Sequence, residues 1–251
     1  MRNKMGHTFG VGQTRELSLR VSVAVLARVL FRHPNFDTWM LALERKATFV
    51  NQGEEKIVEL KAQPFGGAVS ISDLGTFWEE VGDFHFDSIR SHDERDLRIF
   101  IKPSRWPKLK VFCIKHLKDV QDPVLENDPA RELVEEFEDT LGIKLRHDQF
   151  TSEPAAIIVE ESPAPTKNTR ARGYQTVRVY QIFETLITDP ALAETIVLGS
   201  DQVSDEALSE MVLKDSLNGG KGRANAILAL PLTQVEDYYV SLLLQDRNKN
   251  V

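Results

Sequence analysis

Three glutamates near the middle of the chain, Glu132, Glu135 and Glu136, have a spacing that suits metal chemistry. Residues three and four positions apart share one face of a helix, so these carboxylates would converge on one patch. Packed like charges repel, and a hard divalent cation such as Mg²⁺ takes oxygen ligands and relieves that repulsion. A Mg²⁺ held there could bridge to phosphate oxygens and activate a water molecule. The alternative is a solvated helix face, because charge runs usually mark such faces.

The helix that would carry these glutamates is predicted over Pro129–Leu141. Asp128 is a suitable N-cap, and Pro129 fits the first helical position. Gly142 is a suitable stop immediately after the last turn. The apolar stripe that would face the core comprises Ala130, Leu133, Val134, Phe137 and Leu141.

Most of the other elements upstream of this helix are predicted to be strands, and most of those near the end of the chain to be helices. Alternation and β-branched content predict strands at Leu17–Phe31, Thr38–Leu43, Lys56–Lys61, Leu97–Ile101, Leu109–His116, Ala155–Glu160 and Thr176–Leu186. Further helices are predicted at Asp73–Val81, in two pieces over 189–217, and after Thr233, where a capping-box spacing occurs. This order predicts an α/β (α+β) fold, and without a convincing linker we expect one domain over residues 1–251.

A second motif precedes the acidic helix. Gly66-Gly67 follows a predicted strand, and the helix reads Arg131-Glu-Leu-Val-Glu-Glu136 before Gly142-Ile143. Together these resemble the Nudix signature, in which a strand and a Gly-Gly turn precede an Arg-Glu-hydrophobic-x-Glu-Glu helix closed by Gly-hydrophobic. We call the two parts in this chain the split signature, because Ala68–Ala130 separates them.

The resemblance, over residues 15 to 190, implies a Nudix-like α/β/α sandwich with a mixed sheet. It implies an insertion at about 68–130, and a helical C-terminal extension at about 189–251 lies outside it. In that family the helix glutamates hold Mg²⁺ or Mn²⁺ against a diphosphate, which assigns Glu132, Glu135 and Glu136 to metal binding and catalysis. Arg131 falls on the arginine that braces the loop, and the ligand would be a nucleoside-diphosphate-type molecule. Nudix-like domains are often dimers, so a homodimer is a further implied partner.

The chain departs from the family pattern in ways that leave a second function open. The family's glutamate after the glycines is missing, since Ser72 and Asp73 stand near that position. The long insertion and this missing residue favour a nucleotide-binding sensor that has lost catalysis as the alternative. A bacterial, SMODS-associated subgroup of Nudix-like domains is also similar, with Asp96-Leu97-Arg98 within its insertion. A third alternative is an interaction protein whose helix is merely solvated.

Other candidate sites have plainer alternatives. Lys167, Arg170 and Arg172 lie in a Pro-rich loop and could clamp phosphates, although loops are generally polar. The glycine-rich run from Asn218 to Arg223 could cradle an anion, but a helix stop explains it more simply. Cys113, in an apolar run, is more typical of a core residue than of a nucleophile.

The composition limits the partners. Lys and Arg number 31 and Asp and Glu number 38, which gives a net charge of −7 and argues against bulk nucleic-acid binding. Hydrophobic residues make up 41% of the chain, which is typical of a globular protein rather than a disordered one. A single cysteine, no signal peptide and no long apolar run predict a cytoplasmic protein without a membrane partner.

Overall fold

The structure is a computed structural model that describes residues 19–52, 55–160, 162–165, 173–220 and 222–237. Its strands are β1 (Leu19–Arg32), β2 (Trp39–Gln52), β3 (Glu55–Gln63), β4 (Phe65–Ala68), β5 (Ser70–Ile71), β6 (His85–Phe86), β7 (Arg98–Ile101), β8 (Leu125–Glu126), β9 (Phe150–Val159), β10 (Ala164–Pro165), β11 (Gln175–Ile187) and β12 (Arg223–Pro231). Its helices are α1 (Leu74–Val81), α2 (Ile89–Asp93), α3 (Trp106–His116), α4 (Pro129–Leu141), α5 (Pro190–Gln202) and α6 (Asp205–Leu217). The predicted α/β class is confirmed, with helices accompanying antiparallel strand pairs.

The described residues fall into two compact units. Among them, the first unit comprises residues 19–24, 68–127, 158–160, 162–165 and 173–180. The second unit comprises residues 25–52, 55–67, 128–157, 181–220 and 222–237. The insertion predicted at about 68–130 therefore nearly coincides with the middle segment of the first unit. The single-domain assignment stays a prediction.

The first unit contains a small antiparallel sheet. Leu19 of β1 lies opposite Ile101 of β7, and β7 in turn pairs with β6. The rings of Phe77 on α1 and Phe112 on α3 meet edge to face, 5.2 Å between centroids. Edge-to-face aromatic pairs add to the stabilisation gained from burial alone. These aromatic contacts hold α1 and α3 together.

One element of the first unit contradicts the sequence prediction. Residues Leu109–His116 were expected to form a strand, whereas the structure has helix α3 over Trp106–His116. The buried side chains are Leu109, Phe112, Cys113 and His116, which recur at the spacing of one helix face. The apolar run Val-Phe-Cys-Ile resembles a strand locally, but this longer period decides the structure.

The second unit is built on an antiparallel sheet around β2. The end of β1 pairs with the start of β2, as Val29 opposite Ala42 shows. Strand β2 also pairs with β3 on one side and with β12 on the other, so Glu44 lies between Gln63 and Ile227. Strand β12 is absent from the sequence prediction, although Ala-Ile-Leu-Ala-Leu before Pro231 is a short apolar run that suits a strand.

Helices of the second unit pack on this sheet through two apolar clusters. One cluster joins β1 and β2 residues to Leu133 and Phe137 of α4 and to Ile196 of α5. The other joins Ala47 and Ala226 to Leu208 and Val212 of α6. The two predicted helices within 189–217 are thus confirmed as α5 and α6.

The end of the described chain is a short 3₁₀ helix, Leu232–Asp237. Of the range predicted to be helical after Thr233, residues 234–237 belong to this 3₁₀ helix, and the rest lies outside the described residues. Within the part of the chain that the structure describes, no helix has the length and apolar character needed to cross a membrane.

Candidate functional site

Helix α4 forms where the sequence places it, for the predicted reasons. The Asp128 side chain accepts a hydrogen bond from the Ala130 backbone N–H at 2.8 Å, which caps the first turn. Pro129 occupies the first turn, where its missing N–H costs nothing. Gly142 ends the helix at φ +67°, and its N–H bonds to the carbonyl of Glu138. Both helix ends are therefore defined by local chemistry.

The apolar face of α4 fixes the helix on the core of the second unit. Leu133 and Phe137 are buried, and Ala130 and Val134 pack beside them. The Phe137 ring lies 4.7 Å from the ring of Phe65, the first residue of β4. This contact brings the middle of α4 next to the strand that contains the two glycines.

The two parts of the split signature meet at one hydrogen bond. The backbone N–H of Gly66 donates to Oε2 of Glu136 at 2.6 Å. Gly66 and Gly67 were expected in a turn, but the structure places both within strand β4. A carboxylate that accepts a backbone N–H is held in position by a charge-assisted hydrogen bond.

Gly66 is required at its position by close packing. Its φ is +148°, and a Cβ built on it would lie 2.0 Å from the carbonyl oxygen of Val25. No side chain fits at that distance without moving backbone. The absence of a side chain thus lets β4 approach β1 closely enough to present the N–H to Glu136.

A second carboxylate lies beside Glu136 and was missed by the sequence analysis. Glu44 of β2 is only 1% exposed, and its Oε2 accepts from Gln63 Nε2 at 3.0 Å. The Lys46 ammonium lies 2.5 Å from Glu44 Oε2 and 3.9 Å from Glu136 Oε1. The candidate site therefore comprises Glu44, Lys46, Gln63, Gly66 and Glu136. The signal for Glu44 was a charged residue that directly follows the apolar run Met40–Leu43, all four residues of which are buried.

Of the other predicted site residues, Arg131 and Glu135 pair with each other on α4, and the rest have no described side chain. Glu135 is 60% exposed and accepts from Arg131 Nη1, one turn earlier on α4, at 3.4 Å. Arg131 thus pairs along the helix, as i,i+4 charges commonly do. The side chain of Glu132 is not among those described. Lys167, Arg170 and Arg172 lie outside the described residues as well.

The side-chain oxygens of the site are ligands of the type that a hard divalent cation prefers. Glu44 and Glu136 supply carboxylate oxygens, which are ligands that Mg²⁺ and Mn²⁺ accept. Within the described part of the chain, no group of three or more His, Cys, Asp or Glu side chains is placed to hold a metal ion. The two carboxylates therefore do not complete a metal site by themselves, and a cation held there would need further oxygen ligands.

Two other candidates from the sequence have structural explanations. The Asp215 carboxylate accepts the backbone N–H groups of Gly222 at 2.8 Å and Arg223 at 3.3 Å. The glycine-rich run therefore binds an anion belonging to the chain itself. Cys113 is fully buried in α3, and burial raises the pKa of its thiol to about 12. A thiol with so high a pKa is not a nucleophile at neutral pH.

Comparison with known proteins leaves the geometry of the site as the basis for assigning a function. No protein-family model, no curated protein and no solved structure matches the chain. The proposal that follows therefore rests on the contacts among Gly66, Glu136, Glu44 and Lys46.

Proposed function

We propose that the chain is a Nudix-like hydrolase for a nucleoside-diphosphate-type substrate, with Mg²⁺ or Mn²⁺ as cofactor. Water would attack a phosphoanhydride, forming a new P–O bond while the bond to the leaving phosphate oxygen breaks. The observation that carries the proposal is the 2.6 Å hydrogen bond from Gly66 to Glu136. It joins two motifs that resemble one signature and that are 70 residues apart in sequence.

Each residue of the site has a distinct role in this proposal. Glu136, fixed by Gly66, and Glu44, fixed by Gln63, would hold the cation, with the exposed Glu135 as a further ligand. Glu132 would be a ligand or the base that orients the water. A divalent cation, when bound, neutralises phosphate charge and lowers the pKa of a bound water.

The wider setting of the proposal follows from the sequence. A cytoplasmic location supplies nucleotides, Mg²⁺ and reducing conditions for the single cysteine. The resemblance to the bacterial subgroup and the frequent dimers of Nudix-like domains extend the proposal to a bacterial homodimer. Lys167, Arg170 and Arg172 are proposed to contact the phosphates.

The second candidate function is a nucleotide sensor without catalysis. Lys46 favours it, because an ammonium group already lies between the two carboxylates that would hold a metal. A phosphate-bearing ligand could then be bound by the cationic group without any turnover.

Turnover measurements distinguish these functions. The purified protein is incubated with nucleoside diphosphates and their terminal-phosphate derivatives, with and without Mg²⁺, and products are separated chromatographically. The hydrolase predicts Mg²⁺-dependent nucleoside monophosphate, lost in Glu136→Gln and retained in the exposed control Glu138→Gln. Binding without products would favour the sensor, and equal turnover in Glu136→Gln would contradict the assigned site.

A further inference from the structure

Glu44 is a buried carboxylate that depends on a nearby cation. It lies on the central strand of the second unit with 1% of its side chain exposed. Removing a charge from water is costly unless it is paired and hydrogen-bonded. Gln63 supplies a hydrogen bond at 3.0 Å, and Lys46 supplies the opposite charge at 2.5 Å. The cost of burying the Glu44 charge is therefore offset chiefly by the ion pair with Lys46.

Lys46 also reaches the second carboxylate of the site. Its ammonium lies 3.9 Å from Oε1 of Glu136, whose other oxygen is held by Gly66. The Lys46 side chain is 32% exposed, so it has a route from this position toward solvent. Its long flexible stem makes such a movement easier than for a buried side chain.

From this arrangement we infer that Lys46 is an internal cation that competes with a divalent metal for Glu44 and Glu136. Metal binding displaces the Lys46 ammonium, so this residue sets the metal affinity of the site. The inference rests on the proposed metal site, but it concerns two residues, Glu44 and Lys46, that lie outside the split signature. In the absence of metal, the positive charge of Lys46 balances the negative charge of the buried Glu44 carboxylate.

The size of the effect follows from electrostatics at short range. The Lys46 ammonium lies within 4 Å of both carboxylates, and its charge acts strongly on Glu44 because that carboxylate is shielded from water. A divalent ion competes with the same charge, so removing it should tighten metal binding at least about tenfold. The change Lys46→Met removes the charge and keeps an apolar stem of similar length.

A matched control is available on the neighbouring strand. Lys61 of β3 lies directly opposite Lys46, and its ammonium pairs with Glu59 at 2.6 Å. The change Lys61→Met removes the same charge from the same region of the sheet while the Lys46 bridge stays in place. An effect of net charge alone predicts equal changes in the two variants, whereas the competition predicts an effect of Lys46→Met alone.

The test is Mn²⁺ binding, measured by the paramagnetic resonance signal of free Mn²⁺ without any nucleotide. We expect Lys46→Met to bind Mn²⁺ at least about tenfold more tightly than the wild type, and Lys61→Met to change binding less than about threefold. Unchanged or weaker binding in Lys46→Met would overturn the inference. Nucleotide turnover is a separate assay, so the proposed hydrolase can fail while the competition holds.

Thermal unfolding gives a second readout that needs no activity. Without metal, Lys46→Met should unfold at a lower temperature than the wild type, and Mn²⁺ should restore much of the loss. The double change Glu44→Gln with Lys46→Met removes the buried charge, so it should regain stability without gaining Mn²⁺ affinity. It also keeps the test valid if Lys46→Met alone fails to fold, and tight Mn²⁺ binding by the double variant would contradict a role for Glu44.

Discussion

The backbone N–H of Gly66 donates a 2.6 Å hydrogen bond to the carboxylate of Glu136, a residue 70 positions later in the chain. The packing of Phe65 against Phe137 places the neighbouring residues in register for this contact. The insertion between the two motifs belongs to the first unit, whereas both motifs belong to the second unit. Two motifs that are far apart in sequence therefore meet at this contact in the structure.

Replacing Gly66 by alanine should disrupt the site and the fold around it. The added Cβ would collide with the Val25 carbonyl at 2.0 Å, and the positive φ adds backbone strain. We expect Gly66→Ala to lower the free energy of unfolding by more than about 2 kcal/mol in urea titrations. Gly142→Ala is the control, because its φ is also positive but no described atom beyond its chain neighbours lies within 4 Å of the new Cβ. Equal losses in the two variants would contradict the role given to close packing at Gly66.

Removing the Phe137 side chain should weaken the attachment of α4. Phe137 is fully buried against Phe65, and truncating a buried phenylalanine to alanine costs about 3–5 kcal/mol. Phe137→Leu keeps much of the volume and should cost less. Chemical denaturation measures both, and a loss for Phe137→Ala no greater than for Phe137→Leu would argue against this packing.

The local features of the candidate site were predictable from sequence. Asp128, Pro129 and Gly142 define the ends of α4, and Leu133 and Phe137 define the face that packs on the core. Caps and amphipathic periodicity act within a few residues, so a single sequence reveals them. The juxtaposition of Gly66 with Glu136 was a hypothesis from the resemblance, and no local pattern contained it.

The parts of the site that escaped prediction depend on tertiary contacts. Glu44 is part of the site because β2 lies between β3 and β12, and strand β12 was not predicted. The role proposed for Lys46 rests on distances of 2.5 Å and 3.9 Å to two carboxylates on different elements. Helix α3 was mistaken for a strand because a run of four apolar residues has no period of its own.

The buried ion pair of the first unit predicts how stability depends on pH. Burial alone would raise the pKa of Asp87, but hydrogen bonds from Ser91 and Arg20, together with the Arg20 charge, outweigh it and lower that pKa. A carboxyl with a lowered folded-state pKa stabilises the fold above its unfolded pKa of about 3.9 and loses this contribution as pH falls through the folded value.

We therefore expect the free energy of unfolding to decline below about pH 4 in the wild type and less steeply in Asp87→Asn. Urea unfolding between neutral and acidic pH measures this slope. Asp37→Asn, at an exposed ion pair with Arg32, is the control and should keep the wild-type slope. Identical slopes in wild type and Asp87→Asn would show that the Arg20–Asp87 pair does not govern acid stability.

The central claim is that Glu136, positioned by Gly66, holds a divalent cation against a diphosphate. Its most direct test is calorimetric titration of ADP into the wild type, Glu136→Gln and Glu138→Gln, each with and without Mg²⁺. We predict that Mg²⁺ strengthens ADP binding at least about tenfold in the wild type and Glu138→Gln, and that this gain is lost in Glu136→Gln. ADP affinity that responds equally to Mg²⁺ in all three proteins would contradict the claim.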